Sequence, residues 1–272
     1  MTGKNRAVIA LVLGLGLTGC APKPQPPLPA GRPLMLATPE GRIVGRMYEA
    51  KGPIRVLLVV VHGDSAAGPV RYHYDFAAAL AHEVPGVAAA GLMRPGYADP
   101  GGAASDGSYG NPAGGNYTPE VVDALDAAVE DLKSQVHPAH VILVGHSGGA
   151  ALVADLMARH PDIADQAVLV SCPCDVPAWR GWMASKSSAM AWREPVRSLS
   201  PQALVGQVAT TAHFHLWVGA KDATALPGFS RAYVQALRSR SIAADLTIVP
   251  GRKHGILLAP EVIKGVEAIA SR

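Results

Sequence analysis

Apolar residues fall along this chain in two alternating patterns. Arg55–Val61 (RVLLVVV) is an unbroken, largely β-branched run, which reads as a strand buried on both faces of a parallel sheet. Val87–Met93, Val141–Gly145, Ala167–Ser171 and Phe214–Gly219 have the same character, and Leu246–Val249 is a shorter candidate. Segments with helical spacing lie between them: Arg71–His82, Pro119–Val136, Gly149–Arg159, Phe229–Arg240 and Pro260–Ala270. Pro119–Val136 is the clearest, because Val121, Val122, Leu125, Ala128, Val129 and Leu132 form one stripe. Thr118 precedes it as N-cap, with proline at the first helical position. Residues 34–50 read as an antiparallel hairpin turning at Pro39-Glu40-Gly41. Strand and helix in alternation predict an α/β fold, a doubly wound and mostly parallel sheet with right-handed crossovers and helices on both faces.

Two stretches break this alternation. Residues 95–117 hold seven glycines and two asparagines without periodicity, and predict a long loop after the second central strand. Residues 173–211 carry Trp179, Trp182 and Trp192 and run longer than one crossover helix needs. They predict a small cap over the strand ends.

The N-terminus has a different pattern. Lys4 and Arg6 precede an apolar run from Ala7 to Leu17, too short for a span of about 20 residues. The run closes on Leu17-Thr18-Gly19-Cys20 and resembles a bacterial lipoprotein signal. That resemblance implies removal of residues 1–19 and a lipid on Cys20. More than one acyl chain would anchor the protein stably to the cell envelope. Ala21, rather than Asp, after the cysteine resembles the class sorted to the outer membrane where a cell has two. Six of residues 21–33 are proline, which predicts an extended tether from Cys20 to residue 33 and a folded domain over 34–272.

Composition narrows the function. Of 272 residues, 49% are hydrophobic and 17% charged, which excludes a disordered chain. The formal charge is +3, and loss of Lys4 and Arg6 with the signal leaves +1. No basic field exists to hold nucleic acid. Three cysteines exclude a disulfide-stapled scaffold.

The candidate chemistry starts at Val141–Gly149, VILVGHSGG. A buried strand runs into Gly145-His146-Ser147-Gly148-Gly149 and a small-residue helix leaves it. A serine on such a strained strand-to-helix turn projects its hydroxyl above the sheet, and Gly145 and Gly149 remove side chains that would collide there. A serine needs a base, and the base an orienting acid. Ten histidines are present, but only His254 follows the last strand, on the loop Pro250-Gly251-Arg252-Lys253-His254-Gly255. His146 is too close along the backbone, His213 and His215 begin a strand at the wrong end of the sheet, and His160 ends a helix. Asp222, after Gly219-Ala220-Lys221, is the preferred acid, and Asp175 past the preceding strand is the alternative. The Gly148 N–H and that of Asp64, in His62-Gly63-Asp64-Ser65, are the candidate oxyanion donors.

Taken together, GHSGG, the His-Gly after a β-branched strand, GAKD and KHG resemble the α/β-hydrolase family over about residues 50–272. The resemblance implies Ser147 as nucleophile, His254 as base, Asp222 as acid, and no cofactor. Arg94-Pro95-Gly96-Tyr97 resembles a turn common beside such sites. The short cap departs from the long helical lid of true lipases. The expected function is a serine esterase for small or medium carboxylic esters. The alternatives are an exopeptidase or amidase of the prolyl-peptidase kind, and a non-catalytic envelope lipoprotein. The partners expected are a small ester or amide substrate and a membrane reached through the lipid.

Cys172 and Cys174 flank Pro173 at a strand end. A bridge, a metal pair and two small pocket residues remain open for them. Zinc shared with His213 and His215 is rejected, because those lie at the opposite sheet end, and no metal site is expected.

Overall fold

The computed structural model describes residues 27–65, 69–108 and 110–272. The leader and Cys20 lie outside the described residues. The chain opens with β1 (Arg32–Thr38) and β2 (Gly41–Tyr48), then β3 (Val56–Val61), α1 (Tyr72–Glu83) and β4 (Val87–Leu92). After the glycine-rich loop come α2 (Pro119–Val136), β5 (His140–His146), α3 (Gly148–Arg159) and β6 (Gln166–Val170). The cap holds α4 (Val176–Lys186) and the single turn α5 (Pro201–Leu204), and the chain ends with β7 (His213–Gly219), α6 (Pro227–Ser239), β8 (Ala243–Val249) and α7 (Pro260–Ala270).

The eight strands form one sheet in the order β1-β2-β4-β3-β5-β6-β7-β8. The β1–β2 and β2–β4 pairs are antiparallel, and every pair from β4 through β8 is parallel. All six residues of β3 are buried, as a central parallel strand requires. Their side chains alternate. Leu57, Val59 and Val61 join the core under α2, α3 and α6, while Val56, Leu58 and Val60 join the core under α1 and α7. The sheet is therefore covered on both faces, and its open edge is where the parallel strands end.

Three elements differ from their expected bounds. The folded part starts before Leu34, because Arg32 and Pro33 pair with Met47 and Arg46. Pro33 is tolerated there because β1 is an edge strand. Further back, Leu28 packs on the core, so the end of the proposed tether lies against the domain. At the other sheet edge, β8 starts three residues before Leu246; its half-buried Asp245 and exposed Thr247 hide it from an apolar-run search. Thr118 does occupy the N-cap of α2, but its side chain makes no capping bond.

The cap is held by one side chain the sequence did not single out. Arg180, on α4, donates to the carbonyls of Ala113, Ala191, Trp192 and Glu194, tying the cap to the glycine loop. Trp179 stacks on Tyr117 and meets Trp192 edge-on. Cys172 and Cys174 are joined by a disulfide and fully buried. Among the described residues, no helix is long and apolar enough to cross a membrane.

Candidate active site

The chain reverses at Ser147 between β5 and α3 with φ of 54° and ψ of −123°, a strained conformation for a residue with a side chain. The strain is held by packing. A Cβ on Gly145 would collide with Gly149 O and the Ala150 backbone, and one on Gly149 with the carbonyls of Val61 and His62. Only glycine fits at either position. The Ser147 N–H is fastened to Val170 O of β6 at 2.8 Å. Gly148 opens α3, so its N–H has no partner in the helical ladder and points with the positive end of the helix dipole.

Two loops that follow β7 and β8 are zipped together. The Ala220 N–H donates to Val249 O at 2.9 Å and the Lys221 N–H to Arg252 O at 2.8 Å. This pairing sets Asp222 beside His254. His254 Nδ1 lies 2.9 and 3.1 Å from the Asp222 carboxylate oxygens, and His254 Nε2 lies 2.9 Å from Ser147 Oγ. The Asp222 side chain has no solvent exposure, but Oδ1 also accepts the N–H groups of Thr224 and Ala225, both at 2.9 Å. Those donors support a buried carboxylate charge. The structure thus brings Ser147, His254 and Asp222 into one hydrogen-bonded line. Asp175 is not part of it, and accepts instead from Ala178 N at 3.1 Å as the N-cap of α4.

The His254 loop is fixed by groups that sequence reasoning missed. Ser171, itself at φ 53°, donates its hydroxyl to His254 O at 2.8 Å. His146 Nε2 reaches the same oxygen at 3.2 Å, and its Nδ1 accepts from Tyr72 Oη at 2.9 Å. Tyr72 Oη accepts in turn the Gly63 N–H at 2.6 Å. The partners of this chain agree with a neutral His146. Burial, reinforced by repulsion from His254, pulls its ring down to about 4. Burial pushes the Tyr72 hydroxyl up to about 12, so it remains a donor.

Asp64 lies where the oxyanion turn is expected, but its carboxylate adds something unforeseen. One oxygen accepts from Arg94 at 2.8 Å and the other from the Tyr117 hydroxyl. Both oxygens crowd Gly148, where a Cβ would come within 2.8 Å of them. Arg94 is fully buried, with its guanidinium over the rings of Tyr97 and Tyr117. Its charge offsets a carboxylate that would otherwise repel negative charge growing beside Gly148. The Gly63 N–H is already used by Tyr72, so Asp64 offers the next amide along this turn. His62 is also neutral: burial holds its ring well below the ordinary histidine range, and its Nε2 accepts the Arg94 N–H at 3.1 Å.

A small cleft of about 160 Å³ opens beside His146, lined by Tyr72, Gly255, Leu257 and Leu258. A larger one of about 700 Å³ lies between the opening hairpin and α1, away from Ser147.

This sheet, with Ser147 on a turn after its fifth strand, defines an α/β-hydrolase of the serine type. More narrowly, the profile described as serine aminopeptidase, S33 matches residues 52–211, more than half of the chain, and the chain belongs to that family. The match includes Ser147 and stops before Asp222 and His254. No curated protein matches the chain. Among solved structures it is similar to an acylaminoacyl peptidase bound to Z-Gly-Gly-Phe-chloromethyl ketone (TM-score 0.70, 14% identity, 89% of this chain and 41% of that one). It thus spans about two fifths of that peptidase. It is also similar to an esterase of Pyrobaculum calidifontis (0.63, 17%, 90% and 84%). A third likeness is to Est1E of Butyrivibrio proteoclasticus, solved with ferulic acid bound (0.63, 15%, 88% and 96%). At such identities the likeness is one of fold.

Proposed function

We propose that this serine hydrolase cleaves small or medium carboxylic esters through an acyl-serine intermediate. The observation that carries the reading is the continuous line from Ser147 Oγ to His254 Nε2 and from His254 Nδ1 to Asp222. In this mechanism His254 takes the hydroxyl proton as Ser147 attacks the carbonyl carbon. Asp222 holds the ring with Nδ1 protonated and stabilises the imidazolium that forms. The N–H groups of Gly148 and Asp64 receive the oxyanion, aided by the N-terminus of α3. His254 then protonates the leaving alcohol. Water, deprotonated by the same ring, releases the acid and restores the hydroxyl. The apolar cleft beside His146 has room for a small substituent, which favours short chains.

The experiment is hydrolysis of p-nitrophenyl esters of increasing chain length. Turnover of the short esters, abolished in Ser147→Ala, is the expected result. No turnover of any ester by the wild type contradicts the reading. A second reading, peptide-amide cleavage from an amino terminus, is favoured by the family match. It predicts aminoacyl p-nitroanilides as the better substrates. We further propose that Cys20 carries lipid and holds the domain at the cell envelope, on the strength of the leader sequence.

A further inference from the structure

His213, His215 and Asp245 meet at the end of the sheet opposite Ser147. β7 starts at His213, and its two histidines, two residues apart, share one face of the strand. In the parallel register His215 lies beside Asp245 of β8, and Gln166 of β6 lies beside His213. All four side chains therefore stand on one face of three neighbouring strands. His215 Nδ1 is 2.7 Å from Asp245 Oδ2, and His213 Nε2 is 3.3 Å from the same oxygen. The ligating atoms of the three residues all lie within 4.8 Å of one another.

Hydrogen-bond accounting makes the cluster unusual. Both ring nitrogens of His215 face side-chain oxygens, Gln166 Oε1 at 3.0 Å and Asp245 Oδ2 at 2.7 Å. A neutral ring donates through only one nitrogen, and with Nε2 donating to Gln166 the Nδ1 lone pair is free to bind a metal ion shared with Asp245 and His213.

We infer that His213 Nε2, His215 Nδ1 and Asp245 Oδ2 form a binding site for a divalent transition ion of the zinc type, with Gln166 orienting His215. Two imidazoles and a carboxylate suit zinc, and not the all-oxygen preference of magnesium or calcium. A tetrahedral ion with bonds of about 2.0–2.1 Å holds its ligand atoms about 3.3 Å apart, which is the spacing of His213 and Asp245, while His215 Nδ1 and Asp245 Oδ2, at 2.7 Å, must part by about 0.6 Å to admit it. His215 is buried, while the other two side chains are 38% and 48% exposed, so the ion enters from solvent and keeps a water as fourth ligand. A ligating histidine that donates its second ring N–H to an oxygen is the usual outer-sphere arrangement, and Gln166 supplies that oxygen. The ion would clip β8, the edge strand, to β7. It lies roughly 13 Å or more from the Ser147 end at about 3.3 Å per residue, so it takes no part in chemistry at Ser147. The sequence offers His213 and His215 as rejected candidates for the base and for partners of the cysteines, and Asp245 becomes their neighbour only through the β7–β8 register.

The test is calorimetric titration of chelator-stripped, full-length protein with Zn²⁺, together with thermal melts in Zn²⁺ and in Mg²⁺. One equivalent of Zn²⁺ should bind and raise Tm, while Mg²⁺ should do neither. His213→Ala and Asp245→Asn should abolish the Zn²⁺-induced shift, and Gln166→Ala should weaken binding about 10–100-fold. His254→Ala should bind as the wild type does, which separates this site from the histidines near Ser147. Circular dichroism of the metal-free variants checks that each is folded. Should Asp245→Asn fail to fold, the partly exposed His213→Ala decides. No uptake by the wild type, uptake retained in the ligand variants, an equal response to Mg²⁺, or uptake lost in His254→Ala overturns the inference.

Discussion

Ser147 Oγ and His254 Nε2 lie 2.9 Å apart although 107 residues separate them along the chain. Parallel strands make this contact possible. Every strand from β3 to β8 ends at the same edge of the sheet, so the turn after β5 and the loop after β8 open on the same side. The oxygen of Ser147 is aimed by its own backbone strain, and the ring of His254 by bonds to its carbonyl from Ser171 and His146.

Asp222→Asn tests the orientation of that ring. The amide can offer its N–H to Nδ1, which would place the ring proton on Nε2 and deprive Ser147 of its base. Turnover should fall about 10⁴-fold with the fold intact, as kcat and a melting curve will show.

Ser171→Gly removes a bond to His254 O while keeping a residue suited to φ 53°. One hydrogen bond contributes about 1 kcal/mol, so kcat should fall roughly five- to tenfold with KM unchanged. An equal fall in the rate of a variant already lacking His254 would show that Ser171 acts elsewhere.

The Arg94–Asp64 pair predicts a non-additive response. Arg94→Met leaves the Asp64 carboxylate facing Gly148 with no cation beside it, and should cost about 3–5 kcal/mol of stability as well as activity. Asp64→Asn in the same chain removes the uncompensated charge and should restore much of both. Urea unfolding of the two single variants and the double variant checks this.

Stability should fall on mild acidification through the buried histidines His62, His73 and His146. His73 is held down at about 3 by burial, and neither of its ring nitrogens has a partner among the described residues. His146 is held at about 4. The unfolded rings titrate near 6.5, so below that pH the unfolded state binds more protons and gains stability. The loss begins as pH drops through 6.5 and is complete only below the folded values near 4 and 3. At about 1.4 kcal/mol per pH unit, His73 can account for roughly 5 kcal/mol and His146 for roughly 3 kcal/mol across that window. His73→Phe should flatten the acid side of a urea-midpoint profile between pH 4 and 7.

Much of this was legible in the sequence because the signals were local. Unbroken apolar runs marked β3 to β7, and glycines on both sides of Ser147 marked its turn. His254 stood out because no other histidine follows the last strand. What stayed hidden depends on contacts between distant segments. The Asp64 carboxylate acquires its meaning from Arg94 and Tyr117, which lie 30 and 53 residues away. Ser171 is an ordinary strand-end serine until the His254 loop folds over it. β8 shows only its last residues as an apolar run because an edge strand buries only part of one face.

The most direct test of the central claim is labelling of the protein with a fluorophosphonate, followed by mass spectrometry of its peptides. The account predicts a single adduct on Ser147, formed much more slowly in His254→Ala. An unmodified Ser147 in the folded wild-type protein, or an adduct that forms equally fast without His254, would contradict it.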